Sequence, residues 1–169
     1  MKRIILIVTI ALLLPFSFFA QTKKDAKPSS ESETVFAKSY DNVNDFEKIL
    51  TPDQITTLNT TLKSFEKKTL YKIIIVTTSS IKPYTDLFEY SQNLDKYLNT
   101  NLKMQPTILI LLSKGLRQIQ ILGEDTIRYK LSDDQTKEII SGSAVPQFKN
   151  GDYYKGLEAA VTELIKKLG

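Results

Sequence analysis

Apolar residues recur along this chain in two rhythms, and the switches between them lay out its elements. Thr51-Pro52-Asp53-Gln54 is a capping box, with a hydroxyl cap, proline at the first helical position and glutamine at the third. Leu50 and Ile55 stand where a hydrophobic staple places them. Ile55, Leu58, Leu62 and Phe65 then follow at spacings of three and four, the stripe of one buried helix face. Residues 72–78 read as a strand, because Ile73-Ile74-Ile75-Val76 is apolar on both faces and belongs inside a sheet covered on both sides. Pro83 opens a second helix, with Tyr84, Leu87, Phe88, Ser91, Leu94 and Leu98 on one face. Residues 107–112 form another doubly apolar strand. Two such strands joined through a helix make a right-handed parallel crossover.

Beyond Lys114-Gly115 the rhythm shortens to two, as Ile119 and Ile121 alternate with Gln118 and Gln120. This predicts a hairpin return over residues 116–122 to an edge strand with one solvated face. Setting Ser113 opposite Leu116 across a tight turn places Pro106 opposite Gly123. Ser132-Asp133-Asp134-Gln135 is a second capping box, starting a helix with Ile139 and Ile140 inward. A last helix runs from about Asp152, with Leu157, Ala160, Val161, Leu164, Ile165 and Leu168 at helical spacing. The fold class is therefore α/β: a three-layer α/β/α sandwich of four helices around a small mixed sheet, with a βαβ crossover and an antiparallel edge hairpin.

This domain spans residues 40–169. Ahead of it, Lys2 and Arg3 precede an apolar run over residues 4–20 broken only by Thr9, Pro15 and Ser17, and Ala20 offers a small residue at a cleavage point. Residues 1–20 read as a signal peptide, which implies a periplasmic or secreted protein; the alternative is a membrane anchor left uncleaved. Residues 21–39 are rich in Lys, Ser, Glu and Ala and read as a flexible linker. Once the signal is cleaved, no spanning helix is expected.

Composition narrows the chemistry. The chain has no Cys, His or Trp, which excludes disulfides, thiolate or imidazole metal ligands, a Cys nucleophile and a Ser-His-Asp triad. There are 23 Lys and Arg against 19 Asp and Glu, an excess too mild for a nucleic-acid partner. Folding the hairpin back at Gly115 brings the loop before the second apolar strand to the loop after the edge strand. Glu124, Asp125, Asp133 and Asp134 converge there, with Asn99, Asn101 and Gln105 as neutral oxygens, a donor set suited to a hard cation. The competing reading makes Ser132 and Asp133 a helix cap and leaves Glu124 and Asp125 solvated. Thr77-Thr78-Ser79-Ser80 sits at a strand end where α/β folds bind ligands, yet no base adjoins it in sequence. Lys114-Gly115 is a tight turn. Asp41 and Asp45 fit turn or capping roles and are also candidate ligands.

Pro146-Gln147-Phe148-Lys149-Asn150-Gly151-Asp152-Tyr153-Tyr154-Lys155-Gly156-Leu157 resembles the signature before the last helix of the TPM domain family. That family occurs in photosystem II repair proteins of the thylakoid lumen and in exported bacterial proteins. Val43-Asn44-Asp45 and Leu50-Thr51-Pro52-Asp53-Gln54 resemble its opening motif, and 119–123 with Leu131-Ser132-Asp133 fall in register with it. The resemblance covers residues 40–168. It implies an α/β/α sandwich, binding of a divalent cation (Ca2+, or Mg2+), phosphatase activity in some members and assembly or repair of membrane complexes in others. Asp45 and Asp133 match family positions; Glu124 and Asp125 are this chain's own. Gly123-Glu124-Asp125 replaces the family's Gly-Tyr-Gly, and Lys103-Met104-Gln105-Pro106 replaces its Asn-Gly before the strand.

The expected function is an exported, stand-alone interaction module with an envelope or membrane protein as partner. Glu124, Asp125, Asp133 and Asp45 would hold Ca2+ or Mg2+ weakly. No catalytic residue is assigned. The rival is a metal-assisted phosphomonoesterase, with Lys103 or Arg128 stabilising charge.

Overall fold

The two doubly apolar runs occupy the middle of a four-stranded sheet. In this computed structural model, which describes residues 35–169, the chain runs β1 (Val43–Asp45), α1 (Pro52–Thr69), β2 (Ile73–Thr77), α2 (Leu87–Thr100), β3 (Ile108–Ser113) and β4 (Gln118–Gly123). A 3-10 turn (Asp125–Ile127) leads into α3 (Asp133–Glu138), a π-helical segment (Ile139–Ala144), α4 (Val145–Lys149) and α5 (Tyr153–Leu168). The strands lie in the order β1-β2-β3-β4, the first three parallel and β4 antiparallel to β3. The signal segment and residues 21–34 of the expected linker lie outside the described residues.

Every residue of β2 and β3 is buried, as the unbroken apolar runs require. Alternation along the strands divides them between two cores. Ile73, Ile75, Ile108, Ile110 and Leu112 pack with Leu58, Leu62 and Phe65 of α1 and Leu157, Val161 and Leu164 of α5. Ile74, Val76, Leu109 and Leu111 pack with Leu87, Tyr90, Leu94 and Leu98 of α2 on the opposite face. Helices on both faces of a mixed sheet make the three-layer sandwich. Both capping boxes close with both of their hydrogen bonds, at Thr51 and at Ser132.

Four expectations are corrected. The hairpin is two residues longer than a tight turn: Ser113 pairs with Gln118 and Ile108 with Gly123, because Lys114–Arg117 forms the loop and Arg117 takes a left-handed conformation (φ 54°). The shift is even, so every β4 side chain keeps its face. Helix α2 starts at Leu87 rather than Pro83, since the Asp86 carboxylate caps it by accepting the Glu89 N–H at 2.8 Å. Tyr90 therefore faces inward and Phe88 outward. Phe36, assigned by composition to the linker, is buried against Tyr84, Tyr90 and Tyr97 at ring distances of 5.7, 5.1 and 5.8 Å. The domain thus begins before residue 40. Finally, Val43–Asp45 adds a third parallel strand, only three residues long and too short to show a period. Among the described residues no helix is long and apolar enough to cross a membrane.

Candidate functional site

At the carboxyl edge of the parallel strands, hydrogen bonds bind the loops to one another. The Asp45 carboxylate accepts the N–H groups of Ile49 (3.2 Å) and Leu50 (2.8 Å) and the Thr77 hydroxyl. Thr77 Oγ1 in turn accepts the Glu47 N–H at 3.0 Å. The Glu47 carboxylate accepts the N–H groups of Lys114 (2.8 Å) and Gly115 (2.9 Å). The anion-binding capacity of that turn is thus satisfied by the chain's own glutamate. Beside it lies a cleft of about 590 Å3, walled by Ile119, Val145, Phe148 and Tyr153 with Arg117 and Lys149 also lining it. The signature segment builds one wall. Gly151 turns the chain at φ 80°, Asp152 caps α5 by accepting the Lys155 N–H, and Phe148 stacks on Tyr153. Gly156 leaves room for the Phe148 ring, which a Cβ there would meet at 2.1 Å.

The acidic candidates lie at the opposite, amino edge, apart from Asp45. Because the first three strands are parallel, β1 ends beside the end of β2, whereas Gly123 pairs with the first residue of β3. The length of the sheet separates Asp45 from Glu124, and the four candidate ligands do not form one group. The other three share a loop. Arg128 Nε donates to Asp125 Oδ1 at 2.7 Å, and Nη1 donates to both Asp133 oxygens at 3.3 Å. Glu124 Oε2 accepts the Thr126 hydroxyl at 3.2 Å, and Asp134 pairs with Lys137. The guanidinium thus bridges two of the carboxylates expected to share a cation.

Sequence reasoning passed over Asp95, on the sheet-facing flank of α2. Burial, and then the charge of Glu124, push its carboxyl up to about 6, while a hydrogen bond from Asn99 (3.0 Å) acts in the opposite sense. Asp95, Glu124, Asp125 and Arg128 line one cleft of about 470 Å3. The signal was present: Asp95 directly follows Leu94 and lies three residues before Leu98, a carboxylate bordering an apolar stripe. Asn99, expected to offer an oxygen, instead donates its Nδ2–H to Asp95, and Asn101 Oδ1 accepts the Thr100 hydroxyl.

A cation of the kind the resemblance implies needs several free oxygens in one place. Among the described residues no three carboxylates stand together as a metal cage. Asp45 is spent on backbone N–H groups, and Asp125 and Asp133 on Arg128. The donor set does not fit a resident hard cation.

The model of the TPM domain matches residues 43–167. The chain is similar in structure to the N-terminal domain of a P. gingivalis protein (TM-score 0.68, 23% identity, 80% of this chain and 87% of that one). It also resembles the N-terminal domain of the cg2496 protein of Corynebacterium glutamicum (TM-score 0.59, 17% identity, 79% and 83% covered). The BA42 protein of the psychrophile Bizionia argentinensis is a third similar structure (TM-score 0.56, 24% identity, 73% and 83% covered). At these identities the likeness concerns the fold. No curated protein matches the chain.

Proposed function

We propose, given that this chain belongs to the TPM domain family, that it works as a non-catalytic interaction module whose acidic loop is ordered by Arg128 rather than by a resident cation. The observation that carries this reading is the Arg128 bridge between Asp125 and Asp133. A guanidinium stays charged at every accessible pH and supplies several fixed donors, so it can order repelling carboxylates without metal. Ca2+ or Mg2+ from solution has to compete with it and binds only weakly. Export past Ala20 would place the module in the periplasm or outside the cell, with an envelope or membrane partner.

Calorimetry with Ca2+ tests the loop. The wild type should bind no tighter than about 1 mM, the weak end for calcium modules. Arg128→Gln frees Asp125 and Asp133 beside Glu124 and should tighten binding about tenfold or more. Micromolar binding by the wild type, or no change in Arg128→Gln, would sink the reading. The Asp95–Glu124 pair favours a second reading, a metal-assisted phosphomonoesterase, because a carboxyl titrating near 6 can exchange a proton at working pH. Hydrolysis of p-nitrophenyl phosphate that EDTA abolishes, that Asp133→Asn loses and that Asp41→Asn keeps would establish the enzyme instead.

A further inference from the structure

We propose that the end of the molecule where α1 and α5 terminate is a docking surface for an anionic lipid bilayer. Folding does not explain the leucine at position 70. Helix α1 stops at Leu70, which adopts a left-handed conformation (φ 66°) and returns its N–H to the Glu66 carbonyl at 2.8 Å. Glycine or asparagine suits that position; a leucine there is strained by its own Cβ. Burial could compensate, but the Leu70 side chain is 86% exposed. Leucine here is poor for the helix end and poor for water.

Tyr129 is exposed too, at 78%, although its hydroxyl is held at the Tyr71 side chain. The chain neighbours of these two residues hold them at one place. Tyr71, next to Leu70, packs back on Phe65 at 6.5 Å between rings, while Lys130, next to Tyr129, lies 5.4 Å over the Tyr71 ring. Lys130 also donates to the Leu168 carbonyl at 2.9 Å, which joins this contact to the end of α5. Leu70 and Tyr129 therefore flank a single packed junction.

Lysines surround it. Lys67 and Lys68 occupy the last turn of α1, and Lys166 and Lys167 the last turn of α5. The two helix ends are adjacent, since a Cβ on Gly169 would stand 3.9 Å from the Phe65 ring. Glu66 is paired with Lys72 and Glu163 with Lys166. Asp125, in the same loop as Tyr129, and Asp133, at the start of α3, are held by Arg128, while Glu124 and Asp95 keep their charge to the cleft they share with Arg128 on the α2 side. Lys67, Lys68, Lys130 and Lys167 form no ion pair among the described residues. An apolar tip and an amphipathic phenol amid ammonium groups match a headgroup layer: the tips enter the acyl boundary, the tyrosine hydroxyl stays at its rim and the lysines meet phosphates. This deepens the interaction reading by naming a partner class, and its test is read independently of the calcium titration.

The chain contains no tryptophan, so Leu70→Trp in the full-length protein places a sole indole at the contact. Mixing with vesicles of phosphatidylcholine and phosphatidylglycerol should shift its emission to the blue and expose it to brominated-lipid quenching. Vesicles of phosphatidylcholine alone should do neither, even where residues 1–20 tether the chain to them. Raised salt should reverse the effect, and Lys67→Glu with Lys68→Glu should weaken binding about tenfold or more. Phe88→Trp, an exposed position on α2, should report no quenching. The second measurement is Leu70→Asn, which should raise the melting temperature while lowering affinity for anionic vesicles, two changes that a purely structural leucine would not combine. No shift with anionic vesicles overturns the proposal. So does an equal shift with neutral ones, equal quenching at position 88, or a blue shift that follows protein concentration without lipid, which would make this face a contact between copies.

Discussion

At Asp95, burial and the charge of Glu124 both oppose ionisation, and the carboxyl is pushed up to about 6. An unfolded aspartate titrates near 4, so between those values the native state holds more protons than the unfolded one. The contribution therefore runs opposite to the usual aspartate: stability is favoured below the unfolded value and declines as pH rises through about 6. Replacing Asp95 with Asn should leave stability unchanged at about pH 4 and raise it above about pH 7, as read from denaturant melts at both pH values. A constant offset across that range would remove the electrostatic account. The acid itself was legible as a charge bordering an apolar stripe. Its partner was not, because Glu124 is brought to it by strand pairing and not by sequence spacing. Arg128 stands closer to legibility: it lies three residues after Asp125 and five before Asp133, near enough for all three to share one loop.

Among the elements, helix starts marked by a capping box were the most readable, because a cap is a short-range hydrogen-bonding pattern. Thr51 and Ser132 each accept from the third helical residue, and each has its own N–H bound by that residue's side chain. Interruptions were less readable. The run from α3 to α4 widens into a π-helical segment over Ile139–Ala144, which no periodicity announced. Gly142 lies within it, and a Cβ added there would meet nothing within 4 Å. Gly142→Ala should therefore stabilise the protein by about 0.5–1 kcal/mol through reduced freedom of the unfolded chain. A loss of stability in thermal melts would mean that the wide turn needs glycine. The hairpin shows a third kind of limit: period two assigned faces correctly, while the loop length rested on Glu47, which binds the N–H groups of Lys114 and Gly115 from a distant segment.

For the whole molecule, the two cores on either side of the sheet decide where the domain begins. Phe36 is 2% exposed and fills the second core beneath α2. A chain begun at residue 40 should lose about 3 kcal/mol or more relative to one begun at residue 21, the scale of deleting a buried phenylalanine. Equal denaturation midpoints would show that Phe36 adds nothing. The amino acids by themselves determined the two central strands, the faces of the edge strand and the helix starts marked by a capping box, since those properties depend on neighbours a few positions apart. Only the folded chain settled which ends meet: Asp45 away from Glu124, Asp95 beside it, Phe36 under three tyrosines, and Leu70 with Tyr129 around one lysine-rimmed junction. Such meetings depend on strand order and register across long separations, and no local period encodes them.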